Sequence, residues 1–170
     1  IEAATVLWGA GVQASPIAKY LGAPLDKPGR VVVESDLSVP GAEDVFVAGD
    51  LAHVEQNGKL VPGVAPAAMQ EGAHAAENIL RRMRREATLP FRYRDKGSMA
   101  TIGRAAAIAE LPRLKLTGFP AWLAWLFIHI LFLIGFRNRI LVLIQWAWAY
   151  LTFQRGARLI TGEVKYGRQK

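Results

Sequence analysis

Val45-Phe46-Val47-Ala48-Gly49-Asp50 is an unbroken apolar run that stops at a Gly-Asp pair. Such a run predicts a strand buried on both faces, as in a parallel sheet. The Gly permits close backbone approach, and the Asp sets a carboxylate at the C-terminal rim of that sheet, where open α/β folds bind ligands. Without a ligand the same Asp would simply cap a turn. A loop follows, then Val61-Pro62-Gly63-Val64-Ala65-Pro66-Ala67-Ala68-Met69-Gln70-Glu71-Gly72, which opens a helix over residues 65–85. Ala68, Gly72, Ala75, Ala76, Ile79 and Leu80 recur there at helical spacing. Small residues along one stripe imply close packing against something flat, a sheet or a bound ring. Arg81-Arg82-Met83-Arg84-Arg85 puts cations at the end of the helix where its dipole favours them.

N-terminal to this core the chain reads as short strands and turns. Residues 5–8 are apolar and β-prone, and Gly9-Ala10-Gly11-Val12-Gln13-Ala14 matches G-x-G-x-x-A, with Glu34 or Asp36 some twenty residues on. Alone, that spacing is a dinucleotide fingerprint. The next helix, residues 16–21 with Ser15 as N-cap and Pro16 at its first position, is stopped by Gly22 and is too short for a crossover helix. The preferred reading is a strand ending in a Gly turn beside a ligand. Residues 31–33 and 37–39 predict further strands. C-terminal to the core, residues 91–94, 98–102 and 105–109 predict strands separated by Asp95-Lys96-Gly97 and Gly103-Arg104. The chain opens on Ile1 with no basic segment or small-residue cleavage site before its first apolar run, so it reads as the later part of something longer, without a signal peptide.

At 170 residues and 52% hydrophobic, the chain can build a real core and is not a disordered polymer. It has no Cys, which excludes disulfides, an iron–sulfur site, thiolate zinc and dithiol redox chemistry. Any redox chemistry must come from a bound organic cofactor. The net charge of +7 is uneven: residues 1–110 hold 12 Lys+Arg and 13 Asp+Glu, residues 111–170 hold 9 and 1. Residues 119–136 carry no formal charge, and residues 140–153 are apolar except for Gln145 and Thr152. As helices they measure roughly 27 Å and about 21 Å, against about 30 Å of hydrocarbon in a bilayer. Trp122, Trp125, Trp146 and Trp148 favour the headgroup zone, and Arg137 and Arg139 suit lipid phosphates. The expectation is two helices lying in or dipping into one leaflet, rather than spanning it or forming a buried hairpin. The basic residues flank apolar runs rather than forming a stripe with exposed aromatics, which argues against nucleic acid. His53, His74 and His129 are too scattered for a metal site.

A carboxylate for a polyol and a helix dipole for a partly anionic ring suit a flavin. Thr5-Val6-Leu7-Trp8-Gly9-Ala10-Gly11, residues 45–50 and residues 61–72 together resemble the two-dinucleotide-fold flavin disulfide-reductase superfamily. Asp95-Lys96-Gly97-Ser98-Met99-Ala100-Thr101-Ile102-Gly103-Arg104 and the tail with Trp122, Trp125, His129, Arg137, Arg139 and Trp146 narrow this. Over nearly its whole length the chain resembles bacterial type II NADH dehydrogenase, the non-proton-pumping NADH:quinone oxidoreductase. The resemblance implies an α/β fold, the C-terminal part of a two-Rossmann-type FAD/NAD(P)-binding protein. It would divide into residues 1–15 (end of the NADH-binding domain), 16–88 (returning FAD-binding segment), 89–118 (a short β segment) and 119–170 (helical membrane anchor). It implies FAD as cofactor, and NADH, a membrane quinone, anionic lipid headgroups and a second copy in a homodimer as partners. It implies residence on the cytoplasmic face of the bacterial inner membrane.

By the same resemblance Gly49 and Asp50 would hold the FAD ribitol, and Ala65, Pro66 and Ala67 would face the isoalloxazine. Gly9 and Gly11 would lie near the nicotinamide side, with Gln70 and Lys96 on the quinone side. Two departures stand out. Pro66 replaces a Gln often found in the family, and Pro has no side-chain acceptor or N–H for a quinone carbonyl. The family's two G-x-G-x-x-G turns do not occur here, so these residues alone should neither hold FAD tightly nor bind NADH. The competing reading is a non-catalytic peripheral membrane module.

Overall fold

The computed structural model describes residue 4 and residues 11–112, 114–133 and 135–153. The chain divides into two compact units, Ile1–Lys96 and Gly97–Lys170, each described by itself.

In the first unit Pro16–Leu21 is one short 3-10 turn. Ser15 accepts from the Ile17 N–H, and Gly22 closes the turn in the left-handed conformation (φ 65°). The β structure comes in pairs. β1 (Val31–Val32) runs parallel to β4 (Ala52–His53). β2 (Ser38–Val39) is antiparallel to β3 (Ala42–Phe46). β5 (Glu55–Gln56) turns back on β6 (Lys59–Leu60) through Asn57 and Gly58. Both turn residues have positive φ, 55° and 72°, the pattern of a tight hairpin turn that Asn-Gly favours. α1 (Ala65–Met83) is the one long helix of this unit among the described residues. The core is small and aliphatic: Ala18, Val31, Leu37, Val39, Val47, Ala52, Val54 and Val61 bury against Ala67 and Ala75 of α1. The inward face of α1 is Ala67, Glu71, Ala75 and Asn78, about one residue off the stripe expected at Ala68, Gly72, Ala75, Ala76, Ile79 and Leu80, of which only Ala75 is buried. The face turns this way because Glu71 and Asn78 find backbone partners inside.

Two further expectations change here. The apolar run at residues 45–48 was expected as a strand buried on both faces of a parallel sheet. The strand instead starts three residues earlier and takes in Glu43 and Asp44. It pairs only with β2 among the described residues and leaves Val45 39% exposed. The Pro40-Gly41 turn (Gly41 φ 77°) fixes this hairpin register, and the parallel pairing falls to β1 and β4. Residues 91–94 are not a strand. They run extended as a strap whose backbone is held largely by side chains. Asn78, fully buried, donates from Nδ2 to the carbonyls of Asp36 (3.1 Å) and Leu89 (2.9 Å) and accepts the Leu89 N–H at 2.9 Å. Gln56 brackets Tyr93 in the same way at 2.8 and 3.1 Å, and Gln70 brackets Arg94 at 3.0 and 3.1 Å. The Phe91 N–H donates to the Ser35 carbonyl at 2.8 Å. A carboxamide offers a donor and an acceptor side by side, so it can replace a strand partner at one residue.

In the second unit β7 (Ser98–Gly103), β8 (Ala106–Leu111) and β9 (Leu114–Thr117) form an antiparallel sheet in chain order. α2 (Gly118–Phe132) packs on β8, where Ala107, Ala109 and Ala121 are fully buried. β9 was not expected: Leu-Lys-Leu-Thr alternates, but it is only four residues long. α3 (Phe136–Leu151) begins after Gly135 (φ 82°). The helix break therefore falls at the glycine, and Arg137-Asn138-Arg139 lies within the first turn of α3 rather than between two helices. No helix among the described residues is long and apolar enough to cross a membrane.

Candidate functional site

The first unit contains a cleft of about 290 Å³ between the Gly49-Asp50 turn, residues 61–64 and the first turns of α1. Gly49 has φ 72° and opens a single 3-10 turn, Gly49–Leu51. A Cβ there would sit 3.4 Å from the Ala68 Cβ, an ordinary contact, so it is the backbone angle that calls for glycine. A Cβ on Gly63 would meet Asp50 Oδ1 at 3.4 Å, so the loop before α1 lies against the Asp50 carboxylate. Asp50 lines the cleft and makes no hydrogen bond among the described residues. Val64 is the N-cap of α1 and offers no side-chain acceptor to the first turn. The cleft thus brings together an unengaged carboxylate, a glycine-tight backbone and an uncapped helix N-terminus.

Beneath the turn lies Glu71, 3% exposed, whose Oε2 accepts the Gly49 N–H at 2.6 Å. Burial pushes its carboxyl above the ordinary glutamate range and the Asp50 charge adds to this, against the Gly49 hydrogen bond. Sequence reasoning gave Glu71 no role. The stripe read as close-packed ran through Ala68, Gly72 and Ala75, so Glu71 fell beside it and its burial left no mark in the sequence. Arg30 also lines the cleft. Its Nε and one terminal nitrogen each lie 2.7 Å from Asp26 Oδ2, and His53 Nδ1 lies 2.7 Å from the same oxygen. Burial raises the Asp26 carboxyl, but the hydrogen bonds with His53 and Arg30 outweigh it and hold the group below its ordinary value. His53 is raised, first by the bond to Asp26 and further by Glu55 at 3.1 Å, against burial.

Of the residues expected to hold a cofactor, Gly49, Asp50 and Ala67 line this cleft together. Ala65 and Pro66 form the first turn of α1 at its edge. Gly11 has φ 93° and stands next to Val12, which does line the cleft. Gly9 lies outside the described residues, as does the strand expected over residues 5–8. Gln70 does not line the cleft. Its amide is taken up by the Arg94 backbone and by the Pro66 carbonyl at 3.0 Å. Lys96 is exposed at the end of the strap.

The second unit holds the residues expected at lipid. Trp125 stacks on Trp146 (5.4 Å, 11° between planes), and Trp122 meets Tyr150 at 5.4 Å. With Leu126 and Leu143 these rings wall a cavity of about 520 Å³ between α2 and α3. Trp148 is 62% exposed and Arg137 is exposed, while Arg139 Nε donates to the Leu133 carbonyl at 2.8 Å. His129 Nδ1 lies 2.7 Å from the Trp125 carbonyl one turn back, so it is engaged within its own helix. Phe119, Leu123, Phe127 and Leu131 form an exposed apolar stripe along α2, and Leu141, Leu143, Ile144, Trp148 and Leu151 of α3 are exposed as well. Among the described residues no cluster of His, Asp and Glu could hold a metal ion.

Residues 96–155 match the NDH2 C-terminal domain family, and residues 1–72 match the pyridine nucleotide-disulphide oxidoreductase family. The chain is 43% identical to the Type II NADH:quinone oxidoreductase NdhA of Mycobacterium tuberculosis, over 99% of this chain and 37% of that protein. It is 41% identical to the Type II NADH:quinone oxidoreductase Ndh of the same organism, over 100% of this chain and 37% of that protein. A plant relative, the mitochondrial Internal alternative NAD(P)H-ubiquinone oxidoreductase A1 of Arabidopsis thaliana, is 31% identical over 86% of this chain and 32% of its own length. The chain spans about a third of the length of these relatives.

Proposed function

The chain belongs to the type II NADH dehydrogenase family, and on that premise we propose that the whole protein passes electrons from NADH through FAD to a membrane quinone without pumping protons. The observation that carries this is the Gly49-Asp50 cleft at the head of α1. FAD, when bound, supplies the hydride acceptor and the electron relay, and it fits the donor set here. Among the described residues nothing hydrogen-bonds the Asp50 carboxylate, which can accept from ribitol hydroxyls. Gly49 and Gly63 present bare backbone to the cleft, where the chain of a cofactor can lie close. The α1 N-terminus sets partial positive charge beside Ala65 and Ala67, where an electron-rich ring edge is stabilised. Pro66 removes one N–H from that turn, which leaves the dipole but one fewer donor. A volume of about 290 Å³ suits the ribitol and ring edge rather than a whole dinucleotide. The adenosine half then belongs to parts of the protein outside this chain.

In this reading the chain is the C-terminal part of a two-Rossmann-type fold. Residues 1–15 end the NADH-binding domain, with Gly9 and Gly11 near the nicotinamide side. Residues 16–88 return to the FAD-binding domain, residues 89–118 form a short β segment, and residues 119–170 attach to lipid. Gln70 acts on the quinone side by fixing the strap that leads to Lys96, since its amide is already engaged. Helices α2 and α3 lie in one leaflet on the cytoplasmic face of the bacterial inner membrane, in a homodimer. Their exposed apolar faces support this, since a soluble surface rarely leaves so many large side chains uncovered. The Trp side chains and Arg137 and Arg139 serve the interface, where ring and guanidinium meet anionic headgroups.

The test is the visible spectrum of the full-length protein with a quinone-reduction assay. A flavin band and NADH-dependent quinone reduction are expected. Asp50→Ala should lower bound flavin per protein by roughly tenfold in affinity, the scale of a lost charged hydrogen bond. A colourless, inactive protein that still binds vesicles would leave the membrane module as the better reading.

A further inference from the structure

Glu71 is the one acidic side chain buried to 3% exposure among the described residues of the first unit, and it is not paired with a cation. Its partner is a backbone N–H, that of Gly49 at 2.6 Å, twenty-two residues earlier in the chain. Gly49 is the residue whose φ of 72° aims the turn, and Asp50 is next in that turn. The second oxygen of Glu71 has no hydrogen bond among the described residues, and the side chain lines the cleft that Asp50 lines. A buried carboxyl without a cation is costly, so a simple core position would not select it. An apolar residue would fill the space on α1 but strand the Gly49 N–H, and a shorter acid would not reach it.

We propose that Glu71 is a positioning residue of the cofactor cleft: by holding the Gly49 N–H from the first turns of α1, it fixes the turn that presents the Asp50 carboxylate to the flavin. The inference rests on the flavin reading above and adds a residue to it. Glu71 does not need to touch the cofactor. It locks the orientation of Asp50 before binding, so that no turn ordering is charged against flavin affinity.

The test uses the full-length protein as wild type, Glu71→Gln, Glu71→Asp, Glu71→Leu, Asp50→Ala and the Asp50→Ala/Glu71→Leu double variant. The dissociation constant for FAD is measured on apoprotein, and a thermal midpoint is recorded for each. Glu71→Gln keeps an oxygen acceptor at the same reach and should stay within about twofold of wild type. Glu71→Asp keeps the charge but withdraws the oxygen, and Glu71→Leu removes it; both should bind FAD roughly tenfold more weakly or worse. The double variant should be no weaker than Asp50→Ala, because a residue that acts through Asp50 has nothing left to position. Wild-type affinity in Glu71→Asp and Glu71→Leu, an affinity for Glu71→Gln as poor as theirs, or additive losses in the double variant would each overturn the inference. Should Glu71→Leu fail to fold, the Gln and Asp pair decides alone. A wild type that carries no flavin at all would overturn the function proposed above and this inference with it, whereas a flavin-loaded wild type with Glu71→Leu of equal FAD affinity overturns only the inference.

Discussion

His53 bridges Asp26 and Glu55, and its neighbour on Asp26 is Arg30. The two titrating groups work in opposite directions along the pH scale. Asp26 is held below its ordinary 3.8, so its contribution to stability is present above that value and is lost as pH falls through the lowered one. His53 is raised above 6.5, so its contribution is full below 6.5 and is lost as pH rises through the raised value. The pair therefore helps most between about pH 4 and pH 6.5. His53→Gln should flatten the fall in thermal midpoint between pH 6 and pH 8; an unchanged slope would show that His53 does not titrate there. None of this was legible from composition or spacing, because Asp26 and His53 lie 27 residues apart and meet only when β1 pairs with β4. Gly49 and Asp50 were legible, since a positive φ and a rim carboxylate both leave a local mark in sequence. Glu71 was not legible: the stripe read as inward passed beside it, and its partner Gly49 lies 22 residues away.

Helix α1 was legible at the level of the element because its small-residue period is strong and its Arg-rich end suits the dipole. The strands were less so. Two-residue pairings such as β1·β4 carry too few side chains for a period, and the extent of β3 was set by a Pro-Gly turn rather than by apolar content. Residues 91–94 looked like a strand since Phe91 and Tyr93 favour one, yet the strap is held by hydrogen bonds to Asn78, Gln70 and Gln56. Helices α2 and α3 were legible as apolar segments, but their ends follow Gly118 (φ 68°) and Gly135 rather than the arginines. Their outward faces make a prediction of their own. Phe127 is 65% exposed and Ile144 60% exposed, so a charge at either disturbs little packing. Phe127→Glu and Ile144→Glu should each weaken binding to anionic vesicles about tenfold, the scale of one large apolar side chain returned to water, with an unchanged thermal midpoint. A fall in midpoint with vesicle binding intact would place these faces inside the protein.

For the whole molecule, the sequence divides charge along the chain: a near-neutral stretch carries the cleft, and the last 60 residues carry all of the excess positive charge. Deleting residues 119–170 from the full-length protein should move it from the membrane fraction to the supernatant. Retention on membranes would relocate the anchor to some other part. The strap has a consequence of a different kind. Asn78, Gln70 and Gln56 are neutral at every pH, so their grip on the backbone is indifferent to acid, alkali and brine. Arg82, by contrast, meets Glu43 and Asp44 through exposed ion pairs that concentrated electrolyte weakens. Raising the ionic strength should therefore loosen the far end of α1 first while leaving the carboxamide clasps shut, which gives this part of the protein a hierarchy of opening written in its choice of side chains.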